Sequence, residues 1–287
     1  MSVVACGAVR SCGVTTLALA LAATWPRGRR VLLVEIDRAG GTLAAASGWP
    51  PEPGLMSLAA AARRDSDPEL VWEHCHLLPG GTPVLAGPAS ADQSQTALAM
   101  LGGLLERLGE INGDVLVDCG RLAGTRPSEV LIGADQVVLV ARPRLADLHA
   151  LDTWLEANRL ARDGLGLVLV GDGPYPDAEV AEALGIAVLA RLPWDPDAAE
   201  GLVSVPATAR ELKVTPLVRA ARTLADRLST ADIPDAAPTY KMANTASTVG
   251  LAGVPRRIGR MRTWRSGPSS AATNGATNGS APGETLR

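Results

Sequence analysis

Short runs of continuous Val and Leu alternate along this chain with longer stretches whose apolar residues return every three or four positions. The short runs predict strands at Ser2–Gly7, Val31–Ile36, Val84–Ala86, Val115–Asp118, Gln136–Ala141, Gly166–Val170 and Ala187–Leu192. The longer stretches predict helices at Thr15–Trp25 (stopped by Pro26), Ser94–Leu108, Ser128–Ile132, Leu145–Arg162, Ala178–Leu184 and Pro216–Leu228. Glu69–Leu78 fits neither period. Strands that are apolar on both faces and separated by helices predict an α/β fold, a mostly parallel twisted sheet with helices on both sides. Ligands of such sheets sit at the carboxyl ends of the strands. The pattern stops near Ala231. From there the chain is rich in Pro, Ala, Ser, Thr, Asn and Gly and ends in TNGATNGSAPGE before its last three residues, a composition that buries no core. The expected organisation is one domain over 1–230 and a disordered tail over 231–287.

Composition adds little to this picture. Hydrophobic residues make up 47% of the 287, enough for one sizeable core, and the formal charge of -3 gives no global field toward nucleic acid or membrane. Phe is absent, so Leu, Val, Ala and six Trp must fill the interior. The only lysines are Lys213 and Lys241; every other basic residue is arginine. No apolar run approaches the about 20 residues of a membrane span, and a cytoplasmic protein is expected. The tail holds one basic island, with Arg256, Arg257, Arg260, Arg262 and Arg265 interleaved with Ile258, Met261 and Trp264. A peripheral membrane contact, a DNA contact and a solvated linker all fit it.

Candidate chemistry begins after the first strand, at Gly7-Ala8-Val9-Arg10-Ser11-Cys12-Gly13-Val14-Thr15-Thr16. A strand, a tight loop and a helix N-terminus make an anion site, because free N–H groups and the helix dipole face one point. Three further segments carry chemistry: Val31–Gly40 (VLLVEIDRAG), Asp114–Gly120 (DVLVDCG) and Leu192–Asp195 (LPWD). Taken together, and in this order, they resemble the ParA/MinD family of P-loop ATPases, whose deviant Walker A loop reads K-G-G-x-G-K-T-T. The resemblance spans residue 2 to about 228. Aligned on Thr15 and Thr16, it puts Gly13 on the family glycine and Thr15 on the magnesium-binding hydroxyl. Val9 and Val14 then stand where the family has its two lysines.

The resemblance implies nucleotide contacts from Arg10, Ser11, Cys12, Gly13, Val14, Thr15 and Thr16, with Asp172 and Pro193 beside the base. It implies residual catalysis by Glu35, Asp37 and Asp118, and Mg²⁺ at Thr15 and Asp118. ATP and Mg²⁺ are the implied cofactors, and the missing lysines count against both, since a phosphate-facing cation supplies a few kcal/mol of binding and much of the transition-state stabilisation. The expected protein is a pseudo-ATPase, non-catalytic or weakly hydrolysing, that organises pilus or secretion assembly or septum placement through protein contacts. A nucleotide-dependent homodimer belongs to that reading. Gly41–Arg64 also resembles actinobacterial septum-site members. An active partition ATPase binding DNA non-specifically is the alternative. A metabolic P-loop ligase fits worst, because its chemistry needs the phosphate lysine.

Other residues invite weaker readings. His74-Cys75-His76 could place two histidines on one strand face, but no third ligand is near in sequence, so an edge segment is the better expectation. Cys6, Cys12 and Cys119 are expected near each other as small buried residues rather than as a metal or redox cluster. His149 has no Ser or Asp partner in pattern.

Overall fold

The computed structural model describes residues 2–122, 129–206 and 209–230. Eight strands form one sheet: β1 (Val3–Ala8), β2 (Val31–Glu35), β3 (His76–Leu77), β4 (Pro83–Leu85), β5 (Asp114–Arg121), β6 (Gln136–Ala141), β7 (Leu165–Val170) and β8 (Ala187–Leu192). Their order is β3-β4-β2-β5-β1-β6-β7-β8. Every pairing is parallel except β3 with β4 at one edge. The helices are α1 (Val14–Thr24), α2 (Leu43–Ala46), α3 (Leu55–Ala61), α4 (Ala91–Leu105), α5 (Glu129–Gly133), α6 (Leu145–Ala157), α7 (Asp177–Leu184), α8 (Pro196–Ser204), α9 (Arg210–Lys213) and α10 (Pro216–Ser229). Among the described residues no helix is long and apolar enough to cross a membrane.

β1 is central, with all six residues buried, and β5 and β6 flank it. Such a strand is apolar on both faces because helices cover both. α1 is correspondingly buried almost all round, packed on the sheet and under α10 and α8. It ends where Trp25 turns extended before Pro26, a conformation that proline imposes on its predecessor. Below that end, Asp114 gathers several elements. Its carboxylate accepts from the Trp25 indole at 2.9 Å, from Arg29 at 2.5 and 2.7 Å, and from the Ser2 amide at 2.9 Å. Burial alone would raise the pKa of Asp114; the bonds to Arg29 and Trp25 outweigh it and hold the acid below its usual range.

The predicted alternation holds, with shifted ends. β5 continues three residues past Asp118, to Arg121. α4 begins at Ala91 and gives way after Leu105 to a 3₁₀ turn over Leu108–Glu110. The helix predicted to Arg162 stops at Ala157, because Asn158 turns its amide back to the Trp154 carbonyl at 2.8 Å and Arg159 is left-handed (φ +52°). Glu69–Leu78 divides into a 3₁₀ helix over Pro68–His74 and the short strand β3. Four short helices had no periodic signature: α2, α3, α8 and α9. Of these α8 carries a local one, Asp195 capping the Ala198 amide at 3.0 Å ahead of Pro196. The tail from 231 on, with Arg256–Arg265, lies outside the described residues.

Candidate functional site

The carboxyl end of β1 delivers the chain into Val9-Arg10-Ser11-Cys12-Gly13 and then α1. Gly13 sits at φ +98°, a left-handed turn that glycine adopts without strain. No side chain caps α1, so its first-turn N–H groups face the loop. Cys12 ties the loop to β6, its thiol donating to the Val140 carbonyl at 3.0 Å; burial pushes that thiol up to about 12, so it stays protonated. Val14 is buried in the core cluster beneath, and Val9 is half-buried. Neither carries charge to the loop. Arg10 is exposed and leans to Asp147, 3.6 Å away.

Beside the loop lies an acidic corner. Asp118 is fully buried, and its Oδ1 accepts from the Gly120 amide at 2.8 Å. Its Oδ2 is buried with no hydrogen-bond partner. The Thr15 hydroxyl faces this carboxyl and lowers its pKa without meeting the full geometry of a hydrogen bond. Burial dominates, with Asp37 adding to it, and raises Asp118 to about 6. Asp37 is fixed by the Ala39 amide at 2.7 Å and, more weakly, the Arg121 amide at 3.4 Å. Gly120 makes room for it: at φ +57°, a Cβ would stand 2.0 Å from Asp37 Oδ2.

Glu35 pairs in register with Asp118 but does different work. Its Oε1 accepts from the Thr42 and Leu43 amides at 2.6 and 3.1 Å, and its Oε2 from the Gly87 amide at 2.9 Å. Burial raises its pKa to about 7 against the pull of these amides, with Asp118 adding to the rise. Three backbone donors engage both oxygens of this carboxyl group, so it anchors the start of α2 and the turn after β4. Glu35, expected to help order water and metal, is thus tied to the backbone by both oxygens.

Of the residues expected beside the base, Pro193 lines a small cleft with Gly13, Thr16, Leu17, Trp194 and Leu217. Asp172 is exposed and does not line it. The cleft holds about 60 Å³, well below the roughly 300 Å³ at the low end of small-molecule sites. Trp194 at its rim is 58% exposed and carries Arg142 over its ring at 4.3 Å. A larger cavity of about 770 Å³ lies at the opposite pole, among Arg27, Arg30, Trp72 and Arg222, and contains no loop residue.

Sequence reading missed Arg121, whose guanidinium donates to Ser11 Oγ at 2.6 Å and so joins the end of β5 to the loop. The signal was its place three residues after Asp118, hidden because the strand was expected to end there. Cys6 lies in register with Asp118, and Cys119 is close enough to raise its pKa after burial and Asp118 have done so. His74 bonds Ser57 at 2.8 Å and His76 stacks on Trp49 with ring centroids 4.8 Å apart. Among the described residues no three His, Cys, Asp or Glu side chains gather to hold a metal.

Magnesium is nevertheless compatible with the corner. It prefers hard oxygen ligands, keeps several waters, and binds through one or two carboxylates plus phosphate rather than an all-protein cage. Asp118 Oδ2, unpaired and buried beside the Thr15 hydroxyl, is an acceptor of that kind. The site therefore fits Mg²⁺ arriving with a phosphate.

No protein-family model matches the chain, and no curated protein matches it at a significant level. Solved structures do. A ParA family ATPase from Chlorobium tepidum superposes with a TM-score of 0.66 at 18% identity, over 78% of this chain and 98% of that one. The septum site-determining protein MinD from Pyrococcus horikoshii, complexed with Mg-ADP, gives 0.63 at 19% identity over 80% and 97%. The MinC:MinD cell division complex of Aquifex aeolicus gives 0.62 at 16% identity over 82% and 98%. At these identities the likeness establishes the fold: this chain has the ParA/MinD-type P-loop architecture.

Proposed function

We propose that this protein is a spatial-organisation factor on a ParA/MinD scaffold, acting through protein contacts, whose loop binds a magnesium nucleotide weakly and hydrolyses it slowly or not at all. The carrying observation is the uneven site: Asp118 Oδ2 unpaired beside Thr15, against Val9 and Val14 where the loop's cations would stand. The P-loop domain spans 1–230 in this reading, and Arg256–Arg265 in the tail is left as a contact for membrane or DNA.

The loop's residues divide the work. Backbone N–H groups at the start of α1 point toward phosphate oxygens, and the helix dipole favours their charge. Thr15 and Asp118 would hold the magnesium that accompanies those oxygens, directly or through water. When bound, that ion offsets phosphate charge. Asp37, on its Gly120 shelf, is the half-buried acid beside Asp118 and the remaining candidate to orient water. Nothing replaces the lysine that would sense the γ-phosphate from within the loop, and the base cleft must widen before a nucleoside enters. Both features favour weak binding. Partnership with other proteins is inferred from the MinC:MinD relative, and a nucleotide-dependent homodimer is part of the same inference.

Calorimetric titration of the full chain with ATP and ADP, with and without Mg²⁺, tests this. The expected result is a dissociation constant of about 0.1–1 mM that requires Mg²⁺, with turnover indistinguishable from Asp118→Ala. Micromolar affinity with steady turnover abolished by Asp118→Ala would instead establish an active ATPase and favour the partition reading.

A further inference from the structure

Arg121 ends β5 as the strand leaves the acidic corner. Its amide points to Asp37 and its guanidinium to Ser11, so backbone and side chain span from acid to loop. Ser11 is exposed, two residues before Gly13, in the part of the loop that precedes α1's free amides. Arg121 is therefore a cation bonded to the phosphate loop itself, which Val9 and Val14 are not. Arg10 turns to Asp147 and Arg142 to Trp194. A guanidinium offers five N–H donors in a planar fork suited to phosphate oxygens, and the bond to Ser11 uses one.

We propose that Arg121 is the phosphate-binding cation of this site, contributed from the end of β5 in place of the loop lysines and held over the loop by Ser11. The assignment rests on the weak-nucleotide reading above and names the residue that carries it. The ligand class is a polyphosphate: the β- and γ-phosphates of a nucleoside triphosphate, or inorganic tripolyphosphate as a base-free probe. Reach from a neighbouring strand explains how the loop tolerates two valines. It also predicts modest affinity, because the long side chain must be ordered for each contact.

A rival account makes Arg121 only a latch that stiffens the loop. The two differ in what Ser11 does. Binding of Mg-ATP and of magnesium tripolyphosphate by the full chain is compared for wild type, Arg121→Ala, Arg121→Lys and Ser11→Ala, with circular dichroism and thermal melting as controls for folding. If Arg121 contacts phosphate, Arg121→Ala weakens both ligands tenfold or more, and Arg121→Lys recovers part of the loss. Ser11→Ala, which keeps the guanidinium and removes only its anchor, then loses clearly less affinity than Arg121→Ala. Equal losses in Arg121→Ala and Ser11→Ala overturn the proposal in favour of the latch. So does wild-type affinity in Arg121→Ala. A wild-type chain that binds neither ligand up to millimolar concentration removes the nucleotide reading, and this assignment with it. Binding by wild type that is indifferent to Arg121 removes the assignment alone.

Discussion

On one side of the β1–α1 loop, buried Val14 and half-buried Val9 present no charge; on the other, half-buried Thr15 and Asp37 stand by Asp118, whose buried carboxyl is incompletely paired. The same site thus holds one half that satisfies the core and one half that does not. A buried polar atom without a partner costs about 1–3 kcal/mol, and more when charged. Asp118 Oδ2 carries that cost, and under the function proposed above a bound magnesium would relieve it. Glu35 sharpens the contrast. It is equally buried, in register with Asp118, and bonded on both oxygens. Two acids on adjacent strands show the difference between a carboxyl group bonded on both oxygens and one bonded on a single oxygen.

The comparison can be broken most forcefully from the loop side. Val14→Lys puts a cation where the resemblance expects one, and nucleotide affinity should rise at least thirtyfold, at about 1–3 kcal/mol of stability for losing the buried valine. Titration calorimetry reads it; unchanged affinity would mean that the loop is closed to phosphate whatever its charge.

From the acid side, Gly120→Ala should cost about 2–4 kcal/mol in urea unfolding, since the new methyl meets the Asp37 carboxyl in a left-handed turn. It should also abolish any magnesium-dependent binding while leaving all three acids in the sequence. A cost under about 0.5 kcal/mol would show that the shelf is not as tight as drawn.

The smallest effect is a pH dependence. Asp118 rises from 3.8 to about 6 on folding, so its contribution to stability is complete below pH 3.8 and lost as pH climbs through 6. Asp118→Asn removes that loss. Its melting temperature relative to wild type should therefore increase between pH 4 and pH 7, by an amount worth about 2–3 kcal/mol. A difference flat in pH would mean that Asp118 is not strained by burial. Because a magnesium ion competes with the same proton, magnesium-dependent binding should strengthen over the same interval.

Sequence carried the sheet because its strands are apolar on both faces, a pattern that few alternatives share. The resemblance, resting on segments in order along the chain, pointed to Thr15 and Asp118 together, and the structure places the two side by side. What pattern could not show was geometry between strands. Glu35 looks like an acid for chemistry until the Thr42, Leu43 and Gly87 amides are seen around it, and those lie 7, 8 and 52 residues away. Arg121 looks like a polar residue past a strand end until the chain brings it 110 positions back to Ser11. Short helices such as α2 and α9, at four residues each, carry too few positions for any period to register.

The β3 edge has a consequence for handling the protein. Only His76 and Leu77 form it, paired antiparallel to Val84 and Pro83, and proline brings no N–H to a ladder. A two-residue border offers little template for another strand to extend. Concentrated samples should therefore resist fibrillar growth from that border, and copies that do meet there must do so through side chains.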